Sequence, residues 1–139
     1  MTAYLPDLLP GFEQATLPLR PDPDGPVEAT LVRRLRPGGS ARAVLYVHGY
    51  NDYFFQTEMA DRWNAAGYHF YALDLRRYGR SLRPTQLLAF VRDLHSYFEE
   101  LDAAVERIRA EGARTVVLSG HSTGGLTSAL YAHHRRDRD

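Results

Sequence analysis

The sequence predicts an α/β domain in which helices flank a mostly parallel sheet, and a few observations carry this. One short run, Ala43–Val47, is continuously apolar, the mark of a strand buried on both faces, and Tyr68–Leu73 reads as the next buried strand. A further run, Thr115–Leu118, leads into Ser119-Gly120-His121-Ser122-Thr123-Gly124-Gly125 and is followed by helical patterning from Leu126 to His134. Helix-length stretches separate these runs, and strand alternating with helix is the pattern of right-handed crossovers in a parallel sheet.

The chain of 139 residues allows one domain at most, 1–139. Its 17 basic and 17 acidic residues cancel, so no nucleic-acid partner is implied. Without cysteine there is no disulfide framework, thiolate metal site or thiol nucleophile. No metal-ligand spacing is present either, and neither a metal nor another cofactor is expected. The first residues lack the basic and apolar regions of a signal peptide, and no apolar run approaches the ~20 residues of a membrane span. A cytoplasmic protein is expected.

Residues 1 to 26 hold six of the eight prolines, which excludes helix over most of that stretch. Gly11 to Leu19 fits a short strand, Arg20–Pro26 a turn, and Val27 to Arg36 a strand with one wet face, together an antiparallel pair at a sheet edge. After the Ala43–Val47 strand comes the turn His48-Gly49-Tyr50-Asn51-Asp52, then a helix over about Phe54 to Ala66, closed by Gly67. Tyr68–Leu73 leads into Asp74-Leu75-Arg76-Arg77-Tyr78-Gly79-Arg80-Ser81. Leu87, Val91, Leu94, Phe98, Leu101, Val105 and Ile108 then recur at steps of four and three, predicting one long helix from about Pro84 to Glu111.

Gly120-His121-Ser122-Thr123-Gly124 has the form of a G-x-S-x-G nucleophile elbow, in which a sharp strand-to-helix turn lifts a serine above the edge of a parallel sheet. The five-residue pattern alone is weak, and the strand before it and the helix after it supply the required context. Ser122 sits at the apex. Gly120 and Gly124 are its small neighbours, and the helix N-terminus beginning near Ser122 directs free N–H groups at a developing oxyanion. A phosphate-binding loop is excluded: Leu126-Thr127 follows where Lys and Ser/Thr are needed, and the chain contains no lysine.

The His48-Gly49 turn, the Asp74–Ser81 loop and the Gly120–Gly125 elbow occur in this order after successive buried strands. In this the chain resembles the α/β-hydrolase fold, and within it the lysophospholipase and monoacylglycerol-lipase-like serine hydrolases (serine aminopeptidase S33-type), over about residues 27 to 134. The resemblance implies Ser122 as nucleophile and the backbone N–H groups of Tyr50 and Thr123 as the oxyanion hole. It implies that Gly120, His121 and Gly124 support the elbow, and that Asp74 and Arg76 shape their loop. Small carboxylic esters of lysophospholipid or monoacylglycerol type become the expected substrates, with peptidase and thioesterase chemistry left open. Arg77-Tyr78 stands where the family carries Gly-His, and Tyr50 is bulky for its place.

A serine hydroxyl needs a base to take its proton and an acid to orient that base. In the resembled fold both follow the elbow. Here His133 and His134 share the serine's own helix, roughly 16 to 18 Å along its axis. His48 falls in a turn, His69 in a strand and His95 in the long helix. The chain is therefore expected to be an incomplete domain, truncated after the elbow helix, or else a non-catalytic remnant or interaction module. Either way Arg114 to Ser119 would be left as a sheet edge, uncharged over Thr115–Leu118, open to self-association.

Overall fold

The computed structural model describes residues 1–138. Its elements are β1 (Leu5–Pro6), β2 (Glu13–Pro18), β3 (Glu28–Arg34), β4 (Arg42–Val47), α1 (Thr57–Ala65), β5 (His69–Asp74), α2 (Phe98–Ala110), β6 (Thr115–Gly120) and α3 (Thr123–His134). The strands form one sheet in the order β1-β2-β3-β5-β4-β6. β4 pairs in parallel with β5 on one side and β6 on the other. The expected edge pair is β2 and β3, antiparallel to each other, and β3 joins the parallel part by running antiparallel to β5.

Side chains alternate across β4, as the pleat requires. Ala43, Leu45 and Val47 face α2 and α3, where Leu101, Ala104 and Ile108 are wholly buried. Val44 and Tyr46 face α1 and pack with Phe54, Phe70 and Ala60. β6 is different. Only β4 pairs with it among the described residues, and Val116, Val117 and Leu118 are merely half-buried.

The expected long helix is corrected. Its regular part is α2 alone, preceded by a single 3₁₀ turn at Leu94–Tyr97, and residues 82–93 are irregular. The apolar stripe misled because Leu87 and Leu88 are 68% and 49% exposed and do not extend the core. Ala89 has φ +64°, outside any right-handed helix. Asp93 is extended and its side chain accepts the His95 N–H, so it caps the turn that starts the helical run.

Candidate active site

β6 delivers the chain to Ser122, which has φ +56° and ψ −122° and stands immediately before α3. A non-glycine residue in that conformation is strained, and it persists only where its surroundings over-determine it. They do so here. The His121 N–H donates to the Val47 carbonyl at 3.1 Å, pinning the turn to the end of β4. The Ser122 carbonyl accepts the Gly125 and Leu126 N–H groups at 2.9 and 3.2 Å, starting the helix. A Cβ at Gly120 would lie 2.6 Å from Gly124 backbone, and one at Gly124 would strike the Val47 and His48 carbonyl oxygens. Strand and helix can cross this closely only because both positions are glycine. Ser122 is left exposed at the turn.

The turn after β4 lies against this elbow. A Cβ on Gly49 would be 3.2 Å from the Ser122 Cβ and 3.1 Å from the His121 carbonyl oxygen. His48, 1% exposed, fixes the turn. Its Nε2 faces the Leu75 N–H at 3.1 Å, and an N–H can only donate, so Nε2 is the accepting nitrogen. Nδ1 then carries the proton and donates to the Gly49 carbonyl at 2.9 Å. Burial pushes this imidazole below its ordinary value, which keeps it neutral. The Gly49–Tyr50 peptide is trans, so with its carbonyl held by His48 the Tyr50 N–H points away from that ring. Thr123 is the first residue of α3, where a backbone N–H has no acceptor within the helix.

The Asp74–Ser81 loop supports this arrangement through ion pairs. Asp74 is wholly buried; one oxygen accepts the Phe54 N–H at 2.9 Å and the other the Arg80 N–H at 3.0 Å. Arg80 spans Asp74 and Asp7, tying the N-terminal segment to the loop. Arg76 lies against Glu100 at 2.7 Å, and both side chains are almost fully buried. Arg77 is also buried, with φ +61°, and forks onto Asp22 at 2.7 Å from each outer nitrogen. Tyr78 packs on the His48 ring, centroids 4.5 Å apart.

Four of the other histidines are engaged away from Ser122, while His121 stays at the elbow with its Nδ1 3.3 Å from where a Gly49 Cβ would sit. His69 Nδ1 accepts the Arg36 N–H, and His95 Nδ1 pairs with Asp93. His133 contacts Arg136, and His134 packs on Phe98 and His95. Among the described residues no group of three or more His, Asp or Glu is placed to hold a metal ion, and no helix is long and apolar enough to cross a membrane. Beside the elbow lies a pocket of about 220 Å³, with Tyr50, Tyr78, Val91, Leu94, Tyr97 and Thr123 among its lining residues.

The sequence missed two parts of this site. His48 reads as a turn residue, yet it bridges two loops; its place right after a buried strand was the available signal. The contact of Arg77 with Asp22 joins residues 55 positions apart and has no local signal.

A mixed sheet whose parallel strands carry a serine at a strained strand-to-helix turn, with a His-Gly turn packed against it, defines an α/β-hydrolase. Residues 39–139 match the family model described as serine aminopeptidase, S33, and the chain belongs to that family. An epoxide hydrolase from an endophytic Streptomyces is similar at 26% identity and a TM-score of 0.64, over 92% of this chain and 35% of that one. A soluble variant of monoglyceride lipase from Saccharomyces cerevisiae, solved with a substrate analogue, aligns at 22% identity and a TM-score of 0.63, over 86% of this chain and 37% of that one. A highly thermostable carboxyl esterase from Bacillus coagulans aligns at 16% identity and a TM-score of 0.72, over 89% of this chain and 41% of that one. The chain thus spans less than half the length of each. No curated protein matches it in sequence.

Proposed function

We propose that the chain is the nucleophile-bearing part of a serine hydrolase acting on carboxylic esters. The observation that carries this is Ser122 itself, held at φ +56° between β6 and α3 with Gly49 against it. Membership of the α/β-hydrolases supports ester hydrolysis in general, and the motif set favours monoacylglycerol- or lysophospholipid-type esters within it. In this reading the Ser122 Oγ attacks the ester carbonyl carbon, and the Tyr50 and Thr123 N–H groups stabilise the oxyanion. The Oγ proton passes to a base other than His48, His69, His95, His133 and His134, each of which is engaged elsewhere. The test is phosphonylation by an alkyl fluorophosphonate, located by mass spectrometry. Modification at Ser122 that is lost in Ser122→Ala supports the reading; a chain modified equally in both overturns it.

The commitment of these five histidines also favours a second reading, in which the chain acts alone as a non-catalytic module. It requires that hydrolysis of an activated ester not exceed that of Ser122→Ala. Serine-dependent turnover by the isolated chain refutes it.

A further inference from the structure

Arg77 occupies a backbone conformation that suits glycine, and its side chain is 2% exposed. A glycine there would relieve the strain, so the side chain has to do something that outweighs it. What it touches is specific. Both outer nitrogens meet the Asp22 carboxylate at 2.7 Å, and one also donates to the Phe90 carbonyl at 3.3 Å. The Arg77 carbonyl accepts the Ala89 N–H at 3.0 Å, and Ala89 is itself at φ +64°. The Asp22 turn holds the same segment again, through Arg92 on Asp24 at 2.7 Å and Gln86 on the Pro26 carbonyl at 3.0 Å. The Arg77 guanidinium holds the Asp22 carboxyl well below the usual range, at about 2, so the pair stays charged across ordinary pH.

Residues 82–93 are the stretch whose apolar pattern predicts helix, and the clamp is what holds them as a wall instead. Ala89 and Val91 from this wall, with Leu94 and Tyr97 just after it, line the same 220 Å³ pocket as Tyr50 and Thr123. We propose that Arg77 is a specificity-determining residue: by latching residues 82–93 to Asp22 it fixes the depth of this pocket and limits the group bound there to a short apolar chain. At the roughly 30 Å³ that one water-sized group fills in a liquid, the pocket holds about seven methylene-sized groups. Naming that group the acyl chain of an ester rests on the reading of Ser122 as nucleophile. The latch and the size limit do not.

The test uses the whole chain and p-nitrophenyl alkylphosphonates with chains of four to twelve carbons. Ser122 Oγ forms a bond to phosphorus, the bond from phosphorus to the nitrophenyl oxygen breaks, nitrophenolate leaves, and the proton goes to buffer. In the unaltered chain, modification of Ser122 should be about tenfold faster with six carbons than with twelve, because about five of the twelve carbons exceed what the pocket holds and enter only by displacing its wall. Arg77→Gly and Asp22→Asn should each bring that ratio to within about twofold, by speeding the long probe. Arg77→Gly suits the backbone there, and Asp22→Asn tests the latch without touching residue 77. A ratio that stays near tenfold in both variants, or that is absent from the unaltered chain, overturns the proposal. Binding of butanol to dodecanol, followed at the Val91 and Leu94 methyl resonances, reads the same cut-off without a nucleophile. A chain that shows the cut-off with alkanols but no modification at Ser122 sinks the nucleophile reading and leaves the latch standing. One that binds every alkanol alike sinks the latch.

Discussion

Gly49 lies so close to Ser122 that a single added methyl would sit 3.2 Å from the serine Cβ. That contact sets the turn after β4 against the elbow. Gly49→Ala should cost about 1–3 kcal/mol through overpacking, and should slow phosphonylation of Ser122 as the turn moves away. Gly124→Ala should cost more, because its Cβ would meet the Val47 and His48 carbonyl oxygens, which are backbone and cannot swing aside. Thermal melts of the two variants check the order. Equal stability would show that the crossing of strand and helix is looser than described.

His48 gives the fold a dependence on mild acid. Its folded-state value lies below the ordinary 6.5, so the neutral ring is favoured in the fold. The contribution is fully present above 6.5 and is lost as pH falls through the lower folded value. Tm should hold steady above pH 7 and decline below about 6. His69 is lowered by burial as well, so the comparison is with His48→Asn, which should melt lower at pH 7 and show a shallower decline. An unchanged slope in the variant would assign the dependence elsewhere.

Arg76 and Glu100 are buried together, with Glu100 also accepting the Arg76 backbone N–H at 2.8 Å. Removing one partner leaves a buried charge unpaired. Arg76→Met should therefore lose about 3–5 kcal/mol in denaturant unfolding. Arg76→Met with Glu100→Leu should recover much of that, since apolar replacement of both members of a buried pair is often nearly neutral. Failure of the double variant to recover would place the stability in the loop rather than in the charge balance.

Among the described residues β6 has one neighbouring strand and an uncharged outer edge from Thr115 to Gly120. Such an edge offers its free N–H and C=O groups to another chain, and we propose that a second copy of this chain is what pairs there. Light scattering should show dimers or larger species at micromolar concentration, and Val117→Lys should reduce them. A monodisperse monomer that melts cooperatively would overturn this.

What was legible in the sequence follows the range of the forces involved. Runs such as Ala43–Val47 declare buried strands because burial on both faces leaves no room for a polar residue. The elbow was legible because Gly120, Ser122 and Gly124 meet a steric demand within five residues. The helix over 84–97 was misread because Leu87 and Val91 continue the apolar spacing of Leu101 and Ile108. Opposing it were long-range contacts, Arg77 with Asp22 and Phe90 and Arg92 with Asp24, that no local pattern announces. The tautomer of His48 likewise depends on Leu75, which only the fold brings within 3.1 Å.

The strand order has a consequence for how the chain is made. β4 lies between β5 and β6, both synthesised after it, and β6 begins 68 residues beyond the end of β4, at Thr115. While the chain grows from its N-terminus, β4 therefore waits with both sides unpaired, and after β5 with one, until distant partners emerge. Closing contacts of such long range is slow, and apolar strands exposed meanwhile are prone to mispairing. The β1–β2–β3 meander, by contrast, consists of neighbours in sequence and can form early. Folding yield should accordingly depend on translation speed between Val47 and Thr115 more than on anything upstream, and a chaperone that shields β4 should raise it.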